Sequence, residues 1–170
     1  MLDLSWITET LAIGGSFPPN ETQSLAREHG VAAVVDLRGE ARDDVQLLAK
    51  HAIEFLHLPT IDFAPISPPR LHHGIGFVTH QLSRGRRVLV HCAHGIGRSA
   101  LLGLCVLVER GYAPIDALAL AKARRRCISP SPAQYEAWAA WLTALQIERG
   151  ATWRVPGFEE FKAIAYRRGS

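Results

Sequence analysis

Residues 88–99 read Val-Leu-Val-His-Cys-Ala-His-Gly-Ile-Gly-Arg-Ser. A fully apolar run ends at Cys92, a loop with two glycines follows, and an arginine comes six residues after the cysteine. Ligands of open α/β sheets bind at the carboxyl ends of strands, which is where Cys92 would sit. The loop leads into an apolar stretch expected to be a helix, whose free N–H groups and dipole favour an anion. Gly95 and Gly97 permit dihedrals that let several N–H groups turn inward as a nest. The same field stabilises a thiolate, and cysteines so placed can fall to a pKa of about 3.5–7.5. Arg98 supplies a planar fork for two oxygens of one phosphate. Together these residues make a cradle for a tetrahedral dianion with a nucleophile at its floor.

A bare Cys-x5-Arg spacing arises readily by chance. The strand before it, His91, both glycines, the Ser99 hydroxyl and the apolar helix beyond make it specific. With those residues in place, 91–99 resembles the His-Cys-x5-Arg-Ser/Thr signature of cysteine-dependent phosphatases. Chain length and the mid-chain motif resemble the compact dual-specificity branch of the protein-tyrosine-phosphatase-like superfamily. The likeness runs from about residue 6 to 145. It includes Ala12-Ile13-Gly14-Gly15, Val34-Val35-Asp36-Leu37-Arg38, and the stretch from Ser131 to Gln134.

The resemblance implies a general acid on a loop upstream of the cysteine. Leu58-Pro59-Thr60-Ile61-Asp62-Phe63-Ala64-Pro65 is similar to that loop, and Asp62 is the only carboxylate between Glu54 and Glu109. Here the aspartate stands further from the proline than in many members. The implied roles follow. Cys92 attacks phosphorus and forms a phosphocysteine. Backbone N–H groups from Ala93, His94, Gly95, Ile96 and Gly97 to Arg98, with the Arg98 guanidinium, hold the equatorial oxygens. Asp62 protonates the leaving group and then serves as base for water. Ser99 donates to the sulfur. His91 orients the loop, His94 is a candidate substrate contact, and Gln134 is a supporting residue that could position water. Asp36 and Arg38 resemble a structural pair bracing the sheet end. No metal and no cofactor is implied, and phosphate, sulfate or vanadate would be site ligands.

These residues need elements to position them. Residues 7–13 are expected to form a short edge strand, stopped by Gly14-Gly15. A helix is expected after Asn20 as N-cap, ending at Gly30. Residues 31–37 are a continuous apolar, largely β-branched run, expected as a buried strand. Residues 40–50 have helical character, and 53–58 alternate as a strand does. Pro59, Pro65, Pro68 and Pro69 mark a loop. Ser67-Pro68 opens a helix that Gly85 closes. After the strand at 88–90, residues 99–110 are apolar nearly all round, as a central buried helix would be. Pro114 and Ser131-Pro132 open two further helices, running to about 126 and 149. The expected fold is α/β: a central, mostly parallel sheet flanked by helices, as in the dual-specificity phosphatases. Residues 1–149 would be the catalytic domain and 150–170 a helical tail.

Composition bounds the rest. At 170 residues and 48% hydrophobic, with 21% charged, the chain suits one globular domain with a sizeable core. The apolar run 100–108 is too short to span a membrane, and no leader-like start is seen, so the cytoplasm is the expected compartment. The cysteines at 92, 105 and 127 form no disulfide framework and no Cys-x-x-Cys. Cys105 reads as core, and Cys127 as a candidate redox partner of Cys92. His72, His73 and His80 read as surface. Net charge is +3, and lysine occurs only at 50, 122 and 162, so the basic residues are mainly arginine. The run Arg124-Arg125-Arg126 reads as a solvated face.

The leading reading is a protein tyrosine or dual-specificity phosphatase. The alternative keeps the chemistry on a phosphoinositide, phosphatidylglycerophosphate or other small phosphomonoester. The signature loop lacks the lysines often found in enzymes selective for highly charged inositol lipids. A phospho-binding pseudophosphatase is a minor alternative, disfavoured because Cys92 and Asp62 are both present. A sulfurtransferase-like domain is disfavoured by the acid loop and Ser99. The partner is therefore a phosphorylated protein or small phosphomonoester. Nucleic acid is not expected, and membrane contact through the tail is a lesser option than packing on the domain.

Overall fold

A computed structural model describes residues 1–168. Five strands form one sheet: β1 (Leu4–Trp6), β2 (Leu11–Gly14), β3 (Val31–Arg38), β4 (Glu54–Thr60) and β5 (Arg87–His91). Their order is β1-β2-β5-β3-β4. Only the β1–β2 pairing is antiparallel; β2–β5, β5–β3 and β3–β4 are parallel. Among the described residues seven α-helices alternate with the strands and then follow the last of them: α1 (Thr22–Arg27), α2 (Val45–Lys50), α3 (Pro68–Ser83), α4 (Arg98–Glu109), α5 (Pro114–Arg124), α6 (Pro132–Arg149) and α7 (Phe158–Ala165).

Alternation along the strands divides the core. Ile13, Val35, Leu37, Val88 and Val90 face the larger side, against α3 to α7. Ala12, Val34 and Leu89 face the smaller side with Leu25 of α1 and Leu48 of α2. Strands covered on both faces read as unbroken apolar runs, which is why 31–37 and 88–90 stand out in the sequence. Helix α4 is buried over nearly its whole length and sits under the site.

Several boundaries differ from expectation. The strand expected over 7–13 is shorter and interior, because Ile7 N–H donates to Leu11 O at 2.8 Å and closes a turn between β1 and β2. The edge strand is β1. Asn20 is not a cap; it lies inside a 3-10 turn, Pro19–Glu21, that precedes α1. The helix expected over 40–50 begins only at Val45, where Asp44 caps it by accepting from Leu47 N–H at 2.9 Å. Residues 39–44 are therefore a loop. Strand β4 runs through Pro59, which is tolerated because β4 is a sheet edge.

The tail packs into the larger core. Phe161 and Ala165 of α7 are fully buried, and Phe161 lies 4.9 Å from the ring of Tyr135 and 6.0 Å from that of Trp138. Lys122 Nζ donates to Ile128 O at 2.8 Å and to Ala165 O at 2.7 Å. Tyr166 O–H donates to Pro130 O at 2.7 Å. The apolar face of α7 is thus spent on the protein itself. Among the described residues, no helix is long and apolar enough to cross a membrane.

Candidate active site

Register places the site. Asp36 of β3 and Gly14 of β2 both pair with His91, the last residue of β5, so three strand ends meet beside Cys92. Cys92 is buried, with its Sγ 3.3 Å from Ser99 Oγ. Burial pushes the thiol upward. The Ser99 hydroxyl and the N–H groups of Ser99, Gly95 and His94 outweigh it, and the net shift is downward, toward thiolate. Cys105, fully buried in α4 without such donors, is pushed well upward by burial.

Every carbonyl from Cys92 to Ile96 is tied on the outside of the loop. His91 Nδ1 meets Cys92 O at 3.1 Å. Ser16 N–H donates to Ala93 O at 3.0 Å. Arg125 Nη2 donates to His94 O at 2.9 Å, and its Nε to Gly95 O at 2.8 Å. Ser129 N–H donates to Ile96 O at 2.9 Å. In a planar trans peptide the C=O and the next N–H point oppositely, so each outward carbonyl turns an N–H inward. The result is a concave anion nest around the sulfur. Gly95 is required here: its φ is +65°, and a Cβ would lie 2.5 Å from Gly14 C and 2.5 Å from Arg125 Nη2.

Arg98 opens α4 and is fully buried. Its Nη1 donates to Glu40 Oε2 and to Thr60 O, both at 2.8 Å, and its Nη2 to Glu40 Oε1 at 2.8 Å. The guanidinium has five protons, so Nε–H and one Nη2–H remain, on one edge of the fork. Nε has no partner in hydrogen-bond geometry, although Asp62 Oδ1 is 3.4 Å away. A buried unpaired donor is costly, and two phosphate oxygens are the acceptors that edge fits. The ion pair holds Glu40 down to about 2 and raises Arg98.

Asp62 lies at the mouth, half exposed, accepting from Phe63 N–H at 2.9 Å. The loop carrying it is pinned to the start of α6. Ser131 Oγ donates to Phe63 O at 2.7 Å, and Gln134 Nε2 donates to Ala64 O at 3.2 Å. Gln134 also completes a capping box, accepting from Ser131 N–H at 2.8 Å. Both ends of its amide are engaged, and its Oε1 would meet a Cβ on Gly97 at 2.5 Å. It braces the loop carrying Asp62 against the anion nest. His94 and Ile96 stand exposed at the rim.

Beneath the loop, His91 is fully buried, with Nε2 2.6 Å from Asp43 Oδ2. Both ring nitrogens face acceptors, so the network assigns it two protons. Burial lowers its pKa, but the Asp43 hydrogen bond and the charges of Asp43 and Asp36 raise it further, for a net increase. Asp36, Asp43 and His91 are close enough to hold a metal ion. The space is instead bridged by Arg38, whose Nη2 meets Asp36 Oδ2 at 2.9 Å and Asp43 Oδ1 at 2.8 Å. Asp36 and Arg38 therefore belong to the brace.

The sequence reading missed Glu40, Asp43 and Arg125. The first two fell in a stretch read as helix, and no local pattern reveals their partners. Arg125 is not on a solvated face as expected; only Arg124 and Arg126 are exposed, while Arg125 is 4% exposed. His72, His73 and His80 are exposed on α3, as expected.

With this geometry in view, residues 15–142 match the dual specificity phosphatase catalytic domain. The chain belongs to that family. Members are cysteine-dependent phosphatases of the protein-tyrosine-phosphatase-like superfamily, and the mostly parallel five-stranded sheet flanked by helices is their fold. The chain is 36% identical over 140 residues to phosphatidylglycerophosphatase and protein-tyrosine phosphatase 1 of Rattus norvegicus, covering 76% of this chain and 71% of that protein. It is 29% identical over 128 residues to a probable rhodanese domain-containing dual specificity protein phosphatase of Dictyostelium discoideum, covering 74% of this chain but only 26% of that protein. A crystal structure of PTPMT1 in complex with PI(5)P superposes with a TM-score of 0.78 at 25% identity, covering 85% of this chain and 97% of the other.

Proposed function

We propose that this dual-specificity phosphatase domain hydrolyses phosphomonoesters through a phosphocysteine on Cys92, and that its substrate is phosphotyrosine or another phosphorylated residue of a protein. The observation that carries the reaction is the unengaged edge of Arg98, a buried donor pair beside a thiol whose pKa is lowered. Two phosphate oxygens on that edge, with the third in the nest, would leave phosphorus facing Sγ. Cys92 displaces the alcohol, Asp62 gives that alcohol its proton, and water then cleaves the phosphorus–sulfur bond as Asp62 takes a proton back. Ser99 donates to the departing sulfur.

The rim supports an apolar carrier for the phosphate. Ile61 and Phe63 flank Asp62 and are 78% and 73% exposed, and Ile96 adds a third apolar side chain from the nest. An aromatic ring on a peptide would pack between them. A phospholipid headgroup is the second reading. It is favoured by the likeness to a relative named as a phosphatidylglycerophosphatase, and the same apolar rim would face acyl chains.

Hydrolysis of an aryl phosphate in the presence of a chelator tests the reaction. It should persist in the wild type and vanish in Cys92→Ser; turnover in that variant would remove the covalent mechanism. A panel of phosphotyrosine and phosphoserine peptides against phosphatidylglycerophosphate and phosphoinositide vesicles tests the substrate. Higher kcat/KM on the vesicles would replace the first reading by the second.

A further inference from the structure

Arg125 follows α5, and its guanidinium has all five protons engaged. Nε donates to Gly95 O at 2.8 Å, and Nη2 to His94 O and Asp3 Oδ2, both at 2.9 Å. Nη1 donates to Asp3 Oδ1 at 3.0 Å and to Ser5 Oγ at 3.2 Å. The two loop carbonyls it holds share peptide groups with the N–H of Gly95 and of Ile96. The N–H of Gly95 is one of the donors that stabilise the Cys92 thiolate. Pulling His94 O outward aims that N–H at the sulfur.

Asp3 precedes β1 and is itself positioned, since its own carbonyl accepts from Gly15 N–H at 2.9 Å. Its carboxylate is held below the usual range, chiefly by the Arg125 hydrogen bond. Gly15 is next to Ser16, which holds Ala93 O. The N-terminal segment therefore reaches two consecutive carbonyls of the anion loop through Arg125, and a third through Ser16.

We propose that Arg125 is a positioning residue for the Cys92 thiolate and the bound phosphate, and that Asp3 locks it, so that the first residues of the chain tune the active site. This rests on the functional reading above. Asp3 and Arg125 touch no substrate; they act through the peptide planes of 94–96.

The test reads the thiolate without turnover. Cys127 is exposed and would also react, so the measurements use a Cys127→Ser background; Cys105 is buried. Iodoacetamide alkylation of Cys92 is followed against pH, and inhibition by inorganic phosphate is measured on the same samples. The variants are Arg125→Ala, Arg125→Lys and Asp3→Asn, with Arg124→Ala as an exposed control. Around the sulfur, the other charged or titratable groups are Arg98 with Glu40, Asp62, His94, and His91 with Asp43, Asp36 and Arg38; all are unchanged in these variants. Arg125→Ala should move the alkylation midpoint upward and weaken phosphate inhibition roughly ten- to a hundredfold, the scale of losing an outer partner of a site ligand. Arg125→Lys should fall between, since lysine keeps the charge but not the fork. Asp3→Asn should shift both readouts in the same direction and less.

If Arg125→Ala lowers the melting temperature but leaves midpoint and inhibition at the wild-type values, the clamp is only structural and the proposal is overturned. If Arg125→Ala does not fold, Asp3→Asn decides, because its side chain is 60% exposed and tolerates the change. Unchanged readouts there overturn the proposal as well. A wild type without a low alkylation midpoint and without phosphate inhibition would instead bring down the functional reading, visible before any variant is made.

Discussion

Asp62 Oδ1 lies 3.4 Å from Arg98 Nε, near enough to attract it and not aligned to bond it. The Asp62 carboxylate and the unengaged edge of Arg98 thus share one opening. A phosphate on Arg98 would take the place the carboxylate now leans on, bringing the leaving oxygen beside Asp62. Asp62→Asn should therefore cost about 10²–10⁴ in kcat on phenyl or alkyl phosphates, the usual worth of a positioned acid. On p-nitrophenyl phosphate, whose leaving group needs no proton, the loss should be far smaller. Equal losses on both would remove Asp62 from the acid role.

Glu40 fixes which edge of Arg98 faces the nest. Glu40→Gln keeps the shape and removes the charge, so the fork should loosen and KM for an aryl phosphate should rise more than kcat falls. Arg98→Lys removes the bidentate edge outright, and a loss of about 10²–10³ in kcat is expected, as for an oxyanion donor. The Glu40 carboxyl is depressed in the fold, from 4.5 to about 2, so its contribution to stability is present above the unfolded value and fades as pH falls through the folded one. Melting curves should show the wild type and Glu40→Gln differing fully above pH 4.5 and converging as pH approaches 2. A gap independent of pH would mean the charge does not hold the fork.

His91 behaves in the opposite sense. Its pKa is raised in the fold, so the stability it adds is complete below the ordinary histidine value and is lost as pH rises through the folded value. An NMR titration of its ring should find it charged beyond pH 6.5, the ordinary value. In Asp43→Asn the midpoint should drop, because the 2.6 Å hydrogen bond and its charge are gone. An unmoved midpoint would show that the ring is neutral and bonded through one nitrogen only.

The parts of the site that could be read in the sequence are those that are contiguous. Cys92, Arg98 and Ser99 fall within one strand–loop–helix unit, and the apolar runs of β5 and α4 announce it. Asp62 was singled out because its loop resembles the family's acid loop and no other carboxylate stands between Glu54 and Glu109. Glu40 and Asp43 were not legible, because their partners lie 58 and 48 residues away and meet only through the β3–β5 register. The apolar spacing of 40–50 suggested helix, while Asp44 offers a strong cap that starts it later. Arg125 sits between two exposed arginines, and nothing local separates it from them. Its partner Asp3 is 122 residues away, brought close because β1 lies beside β2 and β2 beside β5.

Helix α7 bears on the site through the loop it holds. Lys122 ties Ala165 to Ile128, Tyr166 ties itself to Pro130, and the same 125–130 loop supplies Arg125 and Ser129 to the nest. Phe161→Ala would leave a cavity among Tyr135, Trp138 and Phe158, at a cost of about 3–5 kcal/mol. For a chain of this size that is a fall of roughly 6–20 °C in Tm. Ending the chain at residue 149 should cost more than the substitution. It uncovers the same aromatic cluster, removes Ala165 O from Lys122, and leaves Tyr135 O–H and Pro130 O without their present partners. The truncated form should bind a hydrophobic dye and lose near-ultraviolet circular dichroism, while Phe161→Ala, kept well below its Tm, should retain kcat/KM per folded molecule. A truncated chain as stable as the intact one would show that α7 is an appendage and not a buttress.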